Sequence, residues 1–282
     1  MSRLSLFSTR SQRAFSAVFR LTLALAFFLD SASGQTQCEY NPDVNCDGVI
    51  GAADLLSLLT LFSEQTSVAA SPCGGDTTLY WDGYAYDLVE TAGQCWLAEN
   101  LRSTHYRNGE PIEGPLNDAF WGATTSGAWA IYGDGDSQIY DGSGDEVTNL
   151  ADFGRLYNWW AVEDERGLCP FGWHVPSEED WDQLSLTFGG NLESGAALKA
   201  SPNDSPAWTG TNESGFSALP GGKRDDGLGH YSHGTTHAHF WSATPSGSLY
   251  GWSRLLYTNF GNISESSEPH NEGLSVRCLK ND

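Results

Sequence analysis

The chain has 282 residues, which is enough for one large domain or two small ones. Its 14 basic residues are outnumbered by 36 acidic ones, and the formal net charge is −22. This charge excludes nucleic acid and anionic membrane surfaces as partners, because both are bound through clustered Lys and Arg. It is compatible with binding of calcium, with binding of neutral carbohydrate, or simply with solubility in a salty medium.

Residues 1–34 have the pattern of a secretory signal peptide. A basic segment precedes a short apolar run at residues 21–29, and small residues follow it up to Gly34, after which we expect cleavage. The alternative is an uncleaved anchor, which the shortness of the run disfavours. Since no later apolar run is long enough to cross a bilayer, we expect a mature protein without a membrane span, secreted or held at the cell surface.

Residues 43–54 fit the calcium loop of an EF-hand. Oxygen-bearing side chains occupy the first, third and fifth positions, Gly48 permits the sharp turn, and the backbone carbonyl of the next residue is a ligand. Asp54 stands at the last position, where an EF-hand normally has Glu. The alternative is an Asp- and Gly-rich turn without metal. The predicted Ca²⁺ ligands are Asp43, Asn45, Asp47, Val49 and Asp54.

An amphipathic, Leu-rich helix is predicted directly after this loop, at residues 55–62. Loop and helix together resemble one repeat of a dockerin, a module that normally carries two. We therefore expect a dockerin-like calcium module at residues 35–65 and a linker rich in small residues at 66–78. Cys38 and Cys73 bracket the module, and a disulfide between them would close it.

Export makes disulfides the expected state of the six cysteines, although the sequence alone does not select their pairing. A thiolate metal site is disfavoured, because no C-x-x-C spacing occurs. The cysteines are Cys38, Cys46, Cys73, Cys95, Cys169 and Cys278.

From residue 79 onward, short apolar runs alternate with Gly, Ser, Asn and Asp turns, which indicates short strands. A hairpin is predicted to turn at Asp82 and Gly83. Helices are predicted at about 154–164 and 178–188. This is an α+β pattern without the rhythm of parallel βαβ units.

The second of these helices has the clearest start. Pro170 and Pro176 flank an aromatic run, Ser177 is a good N-cap, and Asp180 stands where a carboxylate completes a variant capping box. We interpret this stretch as the anchor of a core.

Six segments of the C-terminal part occur in a recognisable order. They are CWLAENL (95–101), GRLYNW (154–159), CPFGWHVPS (169–177), GTNESGFSALPGG (210–222), FWSAT (240–244) and GLSVRCLK (273–280). Together they resemble the Fibrobacter succinogenes major paralogous domain, over residues 79–282. The resemblance implies a C-type-lectin-like or sulfatase-modifying-factor-like fold, with short twisted strands and two helices. It also implies a long-range disulfide between Cys169 and Cys278.

No catalytic pattern stands out in this sequence. Neither G-x-S-x-G nor H-E-x-x-H occurs, and the carboxylates at 178–180 and 225–226 are interpreted as solvated faces. Sulfatase-modifying enzymes use a cysteine pair, whereas Cys169 and Cys278 stand where structural half-cystines are expected. We therefore expect no enzymatic activity.

Residues 230–239 contain four of the seven histidines: His230, His233, His237 and His239. On a strand, His237 and His239 would point to the same side and would suit a transition metal. The resemblance places this segment in a variable loop, so a surface loop is the favoured interpretation.

The chain holds 11 Trp, a high number. Trp159, Trp173 and Trp181 are expected in the core. Trp121 and Trp129, beside the acidic loop at 132–137, are expected either in the core or as exposed platforms for sugar rings.

The leading hypothesis is a secreted, non-catalytic, calcium-binding protein with a lectin-like binding or adhesion domain. Its partner would be an extracellular carbohydrate or a cell-surface protein. The alternatives are an extracellular enzyme of the sulfatase-modifying-factor-like type and a structural component of the cell surface.

Overall fold

The computed structural model describes residues 50–52, 71–135 and 146–281. The residues from 71 onward belong to one compact unit, Ala69–Asp282. The described residues do not include the predicted signal peptide, the predicted calcium ligands, or Cys38 and Cys46. The signal peptide and the calcium site therefore stay predictions. No helix in the described part of the chain is long and apolar enough to cross a membrane.

The unit is rich in β-structure and contains two sheets. The first has the strand order β1-β2-β3-β13-β6, and all of its pairs are antiparallel. Its strands are β1 (Thr78–Trp81), β2 (Tyr84–Thr91), β3 (Gln94–Leu97), β6 (Trp173–His174) and β13 (Leu279–Lys280). The last strand therefore lies between strands from the beginning and the middle of the unit.

The second sheet has the order β11-β10-β9-β12-β5-β4, with β7 paired to β9 and β8 paired to β7. Its strands are β4 (Trp129–Ala130), β5 (Leu156–Tyr157), β7 (Gly221–Arg224), β8 (Tyr231–Gly234), β9 (His237–Pro245), β10 (Tyr250–Tyr257), β11 (Ile263–Pro269) and β12 (Leu274–Ser275). The described helices are short: α1 (Asp118–Ala123), α2 (Glu146–Phe153), α3 (Trp159–Val162), α4 (Glu178–Thr187) and α5 (Ser194–Leu198).

The hairpin prediction is confirmed. β1 and β2 pair up to Trp81 and Tyr84, and the turn between them consists of Asp82 and Gly83. Both turn residues have positive φ, 44° and 79°, as a two-residue turn matched to the twist of the strands requires.

The prediction for α4 is also confirmed. Ser177 is the N-cap, its side chain accepts from the backbone N–H of Asp180, and the Asp180 carboxylate accepts from the backbone N–H of Ser177. This reciprocal capping box satisfies two of the donors that a helix start leaves unpaired. Trp181 and Leu184 bury the inner face of the helix.

The helix predicted at 154–164 is mostly wrong. Residues 156–157 form β5, and only Trp159–Val162 is helical, with Asn158 as its N-cap. Tyr157 pairs with Leu274 on one side and with Trp129 on the other. The local helical pattern therefore gives way to pairing between distant strands.

Aromatic side chains fill the core, which is confirmed for Trp159, Trp173 and Trp181. Trp96 contacts Trp181 with ring centroids 5.1 Å apart, and Phe216 packs edge-on against both rings. Such tilted and edge-to-face pairs add to the free energy gained by burial of the rings.

Two disulfides lie in this core. Cys169 pairs with Cys278, the pair that the family resemblance implied. Cys73 pairs with Cys95, which corrects the suggested closure with Cys38. The reason is geometric: Cys95 lies on β3, and its Cα is 5.0 Å from that of Cys73.

Candidate ligand-binding cleft

A cleft of about 460 Å³ opens between the segment after β3, the end of α2 and the loops before β7. Polar side chains make up most of its lining, and Ala98, Ala151, Ala200, Pro206 and Leu219 complete it. The polar residues are Glu99, Asn100, Asp152, Asp204, Ser205, Ser217 and Arg277.

Arg277 lies at the base of this cleft, with only 1% of its surface exposed. Its guanidinium donates to Asn100 Oδ1 and to the Phe216 carbonyl, and it stacks over the Phe216 ring at 4.2 Å. Among the described residues, no carboxylate is within ion-pair distance of it. Burial lowers the pKa of Arg277, but a guanidinium stays protonated at neutral pH. The base of the cleft is therefore positively charged.

The rim carries a rigid set of hydrogen-bonding groups. Asp204 Oδ2 accepts from the Ser201 backbone N–H at 2.6 Å and from Asn212 Nδ2 at 2.9 Å. Asn212 also donates to Ser217 Oγ at 2.8 Å, which fixes the serine hydroxyl. The hydrogen bond from Ser201 is the main cause of the lowered pKa of Asp204. The carboxylate is therefore ionised at neutral pH and has oxygen lone pairs left for a ligand.

Glu99 and Asp152 add carboxylates on another part of the lining. Glu99 forms an ion pair with Arg102, and Asp152 lies half-buried near the end of α2. Carboxylates and hydroxyls around a polar base can accept and donate hydrogen bonds to a ligand rich in hydroxyl groups. The lining contains no His or Cys that would activate a nucleophile.

Comparison with protein families shows where this chain belongs. Residues 89–280 match the Fibrobacter succinogenes major domain, which is more than half of the 282-residue chain. The chain belongs to this family. Among curated proteins, none matches it.

Three of the six segments that carry the family resemblance line the cleft. They contribute Glu99 and Asn100, Ser217 and Leu219, and Arg277. The matched family region starts within β2, so β1 extends the first sheet beyond it, and Cys73 is joined from outside the region to Cys95 within it.

The tryptophans considered as sugar platforms are buried, which corrects that interpretation. Trp121 is 0% exposed and Trp129 is 9% exposed. Trp129 packs under the Arg155 guanidinium at 4.5 Å, and Trp121 packs against Arg224 at the same distance. Neither ring has a face open to a sugar.

The acidic loop beside them is also tied into the structure where it is described. Asp134 is buried, accepts from the Ile131 backbone N–H at 2.8 Å and accepts from the Tyr231 hydroxyl. Its carboxylate also lies 3.9 Å from the Arg224 guanidinium. The part of this loop at 136–137 lies outside the described residues.

Of the carboxylates at 178–180 interpreted as a solvated face, Glu178 and Asp180 have structural partners, whereas Glu179 is exposed. Glu178 pairs with buried Arg254, and Asp180 caps α4. Asp225, Asp226 and Glu272 lie together, with ligand atoms within 4.8 Å of one another. Glu272 already pairs with Lys223 and accepts from the Asp226 backbone N–H, so the cluster has internal partners.

The histidine-rich segment consists of β8, a two-residue turn and the start of β9, and it is not a surface loop. β8 pairs with β7 in antiparallel orientation, and β9 pairs with β7 in parallel orientation. The segment is therefore part of the second sheet. His239 on β9 is consequently buried. Burial lowers the pKa of His239 well below its ordinary value, and nearby Lys223 lowers it further. Its imidazole is therefore neutral at pH 7.

Sequence reasoning missed the cleft because its defining residue gives no local signal. Arginine is among the residues least often fully buried, so Arg277 was expected only as part of a family segment. The available signal was its position directly before Cys278, a half-cystine of the core.

Proposed function

We propose that this protein is a secreted, non-catalytic binding protein whose family domain holds a hydroxyl-rich ligand, an extracellular carbohydrate, in the Arg277 cleft. The observation that carries the proposal is the lining itself. Carboxylates and serine hydroxyls surround a cleft whose base is a buried guanidinium held by Asn100. Fixed polar groups of this kind suit the alternating donors and acceptors of a sugar.

The C-type-lectin-like fold stays part of this proposal. It is supported by the capped helix α4 and by the disulfide that joins the entry of this helix to the segment before the last strand. Secretion is supported by the predicted signal peptide and by the two disulfides, since such bonds persist in oxidising compartments.

The ligand proposal is tested with a glycan array and a pull-down on insoluble polysaccharides. Asp204→Asn and Ser217→Ala, which change only the rim, should each weaken binding of the best glycan at least tenfold. Asp76→Asn removes an exposed carboxylate elsewhere in the same unit and should leave binding unchanged. Absence of binding on both platforms, or equal binding by all variants, would contradict the proposal.

We also propose that a dockerin-like module at residues 35–65 binds Ca²⁺ through Asp43, Asn45, Asp47, Val49 and Asp54. Side-chain oxygens at three loop positions and a glycine at the turn support this proposal. Calorimetry of the full chain should show calcium binding that Asp43→Ala and Asp47→Ala together abolish. Unchanged calcium binding in the double variant would contradict it.

The enzyme alternative makes a different prediction about thiols. In the part of the chain that the structure describes, all cysteines are in disulfides. An enzyme of the sulfatase-modifying type would need a reactive thiol. Mass spectrometry after alkylation under non-reducing conditions should find no modified cysteine if the protein acts by binding alone.

A further inference from the structure

Three histidine rings meet where the chain turns from β8 into β9. The ring centroids of His233 and His237 are 4.5 Å apart, and each lies 5.8 Å from the ring of His239. His237 and His239 alternate along β9 and so face the same side of the strand. His233 reaches them from β8 across the turn formed by Thr235 and Thr236.

His239 is the unusual member of this group. Only 3% of its surface is exposed, and neither of its ring nitrogens has a hydrogen-bond partner among the described residues. A buried polar group without a partner costs about 1–3 kcal/mol, and most buried groups in proteins avoid this cost. A ligand that accepts the lone pair of one ring nitrogen of His239 would remove the part of this cost that belongs to that nitrogen.

The hydrogen bonds of Thr236 set the tautomer of His237. The Thr236 hydroxyl donates its single proton to the His233 carbonyl at 3.1 Å. The same oxygen lies 2.8 Å from His237 Nδ1, so it accepts the proton of that nitrogen. His237 Nε2 is then left with a lone pair, as in metal-binding histidines whose other nitrogen donates to a neighbouring oxygen.

The spacing of the rings suits a shared metal ion. With Zn–N bonds of about 2.0–2.1 Å and tetrahedral angles, the centres of two ligating imidazoles lie about 5 Å apart. The observed separations of 4.5 and 5.8 Å bracket this value. His233 is exposed, so rotation of its side chain can bring a ring nitrogen to an ion that His239 and Nε2 of His237 bind.

We infer that His233, His237 and His239 form a binding site for a divalent transition metal ion of the zinc class. Imidazole nitrogens favour Zn²⁺, Cu²⁺ and Ni²⁺, whereas Ca²⁺ and Mg²⁺ require oxygen ligands. Three protein ligands leave one position for water or for a group of a bound partner. None of these histidines lines the Arg277 cleft.

The charged groups around the three histidine rings do not oppose binding of a cation there. Lys223 is the nearby positive charge, and its ammonium group is paired with the carboxylate of Glu272, while Glu268 lies 4.0 Å from it. The formal net charge of −22 further favours accumulation of cations at the surface.

The test is calorimetry of the full, calcium-saturated chain, prepared without a histidine tag and titrated with Zn²⁺, together with visible spectroscopy of the Co²⁺ complex. We expect about one Zn²⁺ per chain and the d–d absorption bands of tetrahedral Co²⁺ bound by nitrogen. His233→Ala and His237→Ala, which change outer side chains, should each lower the Zn²⁺ affinity at least tenfold. His105→Ala is the matched control and should bind as the unmodified chain does.

His239→Gln tests the inner ligand, and its circular dichroism spectrum shows whether the variant folds. If it folds, it should lose the Co²⁺ bands. Absence of both Zn²⁺ heat and Co²⁺ bands in the unmodified chain would overturn the inference. Zn²⁺ affinity that is unchanged in the His233 and His237 variants would overturn it as well.

Discussion

Arg277 and Asn100 are 177 residues apart in sequence and in direct contact in the structure. The guanidinium donates twice to Asn100 Oδ1, from Nη2 at 2.9 Å and from Nε at 3.2 Å. Asn100 in turn donates through Nδ2 to the Phe153 carbonyl at 2.8 Å and to Ser275 Oγ at 3.2 Å. This pair therefore ties the segment after β3 to the end of α2 and to the C-terminal strands, and it forms the base of the cleft.

Arg277→Lys should destabilise the unit while keeping the charge. An ammonium group is a point donor, so it cannot replace the planar fork that binds Asn100 and the Phe216 carbonyl together. Leaving one of these buried acceptors without a donor costs about 1–3 kcal/mol. Urea denaturation should show that the free energy of unfolding falls by about 2 kcal/mol. A decrease below about 0.5 kcal/mol would show that the planar fork does not contribute to stability.

The two disulfides should differ in the stability that they add. In the loop-entropy relation, closing the 109-residue separation between Cys169 and Cys278 contributes about 4.8 kcal/mol. The 22-residue separation between Cys73 and Cys95 contributes about 3.4 kcal/mol. We would replace each cysteine pair by alanines and compare the denaturation midpoints of the two variants at equal m-values. The Cys169–Cys278 variant should lose more stability than the Cys73–Cys95 variant. A larger loss for the Cys73–Cys95 pair would contradict the entropic account.

Arg254 on β10 joins α4 to the second sheet. It is 1% exposed and lies within 2.7–2.9 Å of carboxylate oxygens of Glu178, Asp182 and Glu265. Arg254→Met leaves the half-buried Glu178 without its cation, and removing one partner of a buried pair costs about 3–5 kcal/mol. We expect urea denaturation of this variant to show a free energy of unfolding that is lower by at least about 3 kcal/mol.

The matched control for this variant is Arg166→Met. Arg166 also binds two carboxylates, those of Glu110 and Asp164, but its side chain is 37% exposed. Exposed ion pairs contribute less than about 1 kcal/mol, because water solvates the separated charges well. Equal losses in the two variants would show that burial does not decide the contribution of these arginines.

The features that could be predicted from the sequence depend on short segments. The capping box of α4 and the β1–β2 turn each follow from a few consecutive residues, and both are confirmed. The match to the Fibrobacter succinogenes family follows from the order of six segments, and it too is confirmed.

The features that were missed depend on distant contacts. Residues 156–157 form a strand because Tyr157 pairs with Leu274, which no local pattern indicates. Trp121 is buried because Arg224 covers its ring and the Asn271 carbonyl accepts its indole N–H, 150 residues away. Burial of the Arg277 guanidinium is likewise a property of the assembled core, so the cleft could not be located before the fold was known.

Asp180 should contribute stability that depends on pH. Burial raises the pKa of its carboxyl, but hydrogen bonds from His174 and Ser177 outweigh this effect and hold the pKa below its ordinary value of 3.8. The folded state therefore favours the ionised carboxylate. Its contribution is complete above the pKa of the unfolded chain, about 3.9, and is lost as the pH falls through the lower pKa of the folded state.

Asp180→Ala removes the acceptor for the Ser177 backbone N–H at 2.8 Å and for its hydroxyl at 2.7 Å. Loss of a helix cap costs about 1–2 kcal/mol, so the variant should be less stable by this amount at pH 7. The difference should shrink below about pH 4, because the carboxyl of the unfolded chain binds a proton there while that of the folded state is still ionised. Glu179→Ala, an exposed change in the same helical turn, loses only a weak interaction with the helix dipole and should cost less than about 1 kcal/mol. Urea denaturation at several pH values between 3 and 7 measures both, and a deficit in Asp180→Ala that stays constant down to pH 3 would contradict the role of the ionised carboxylate.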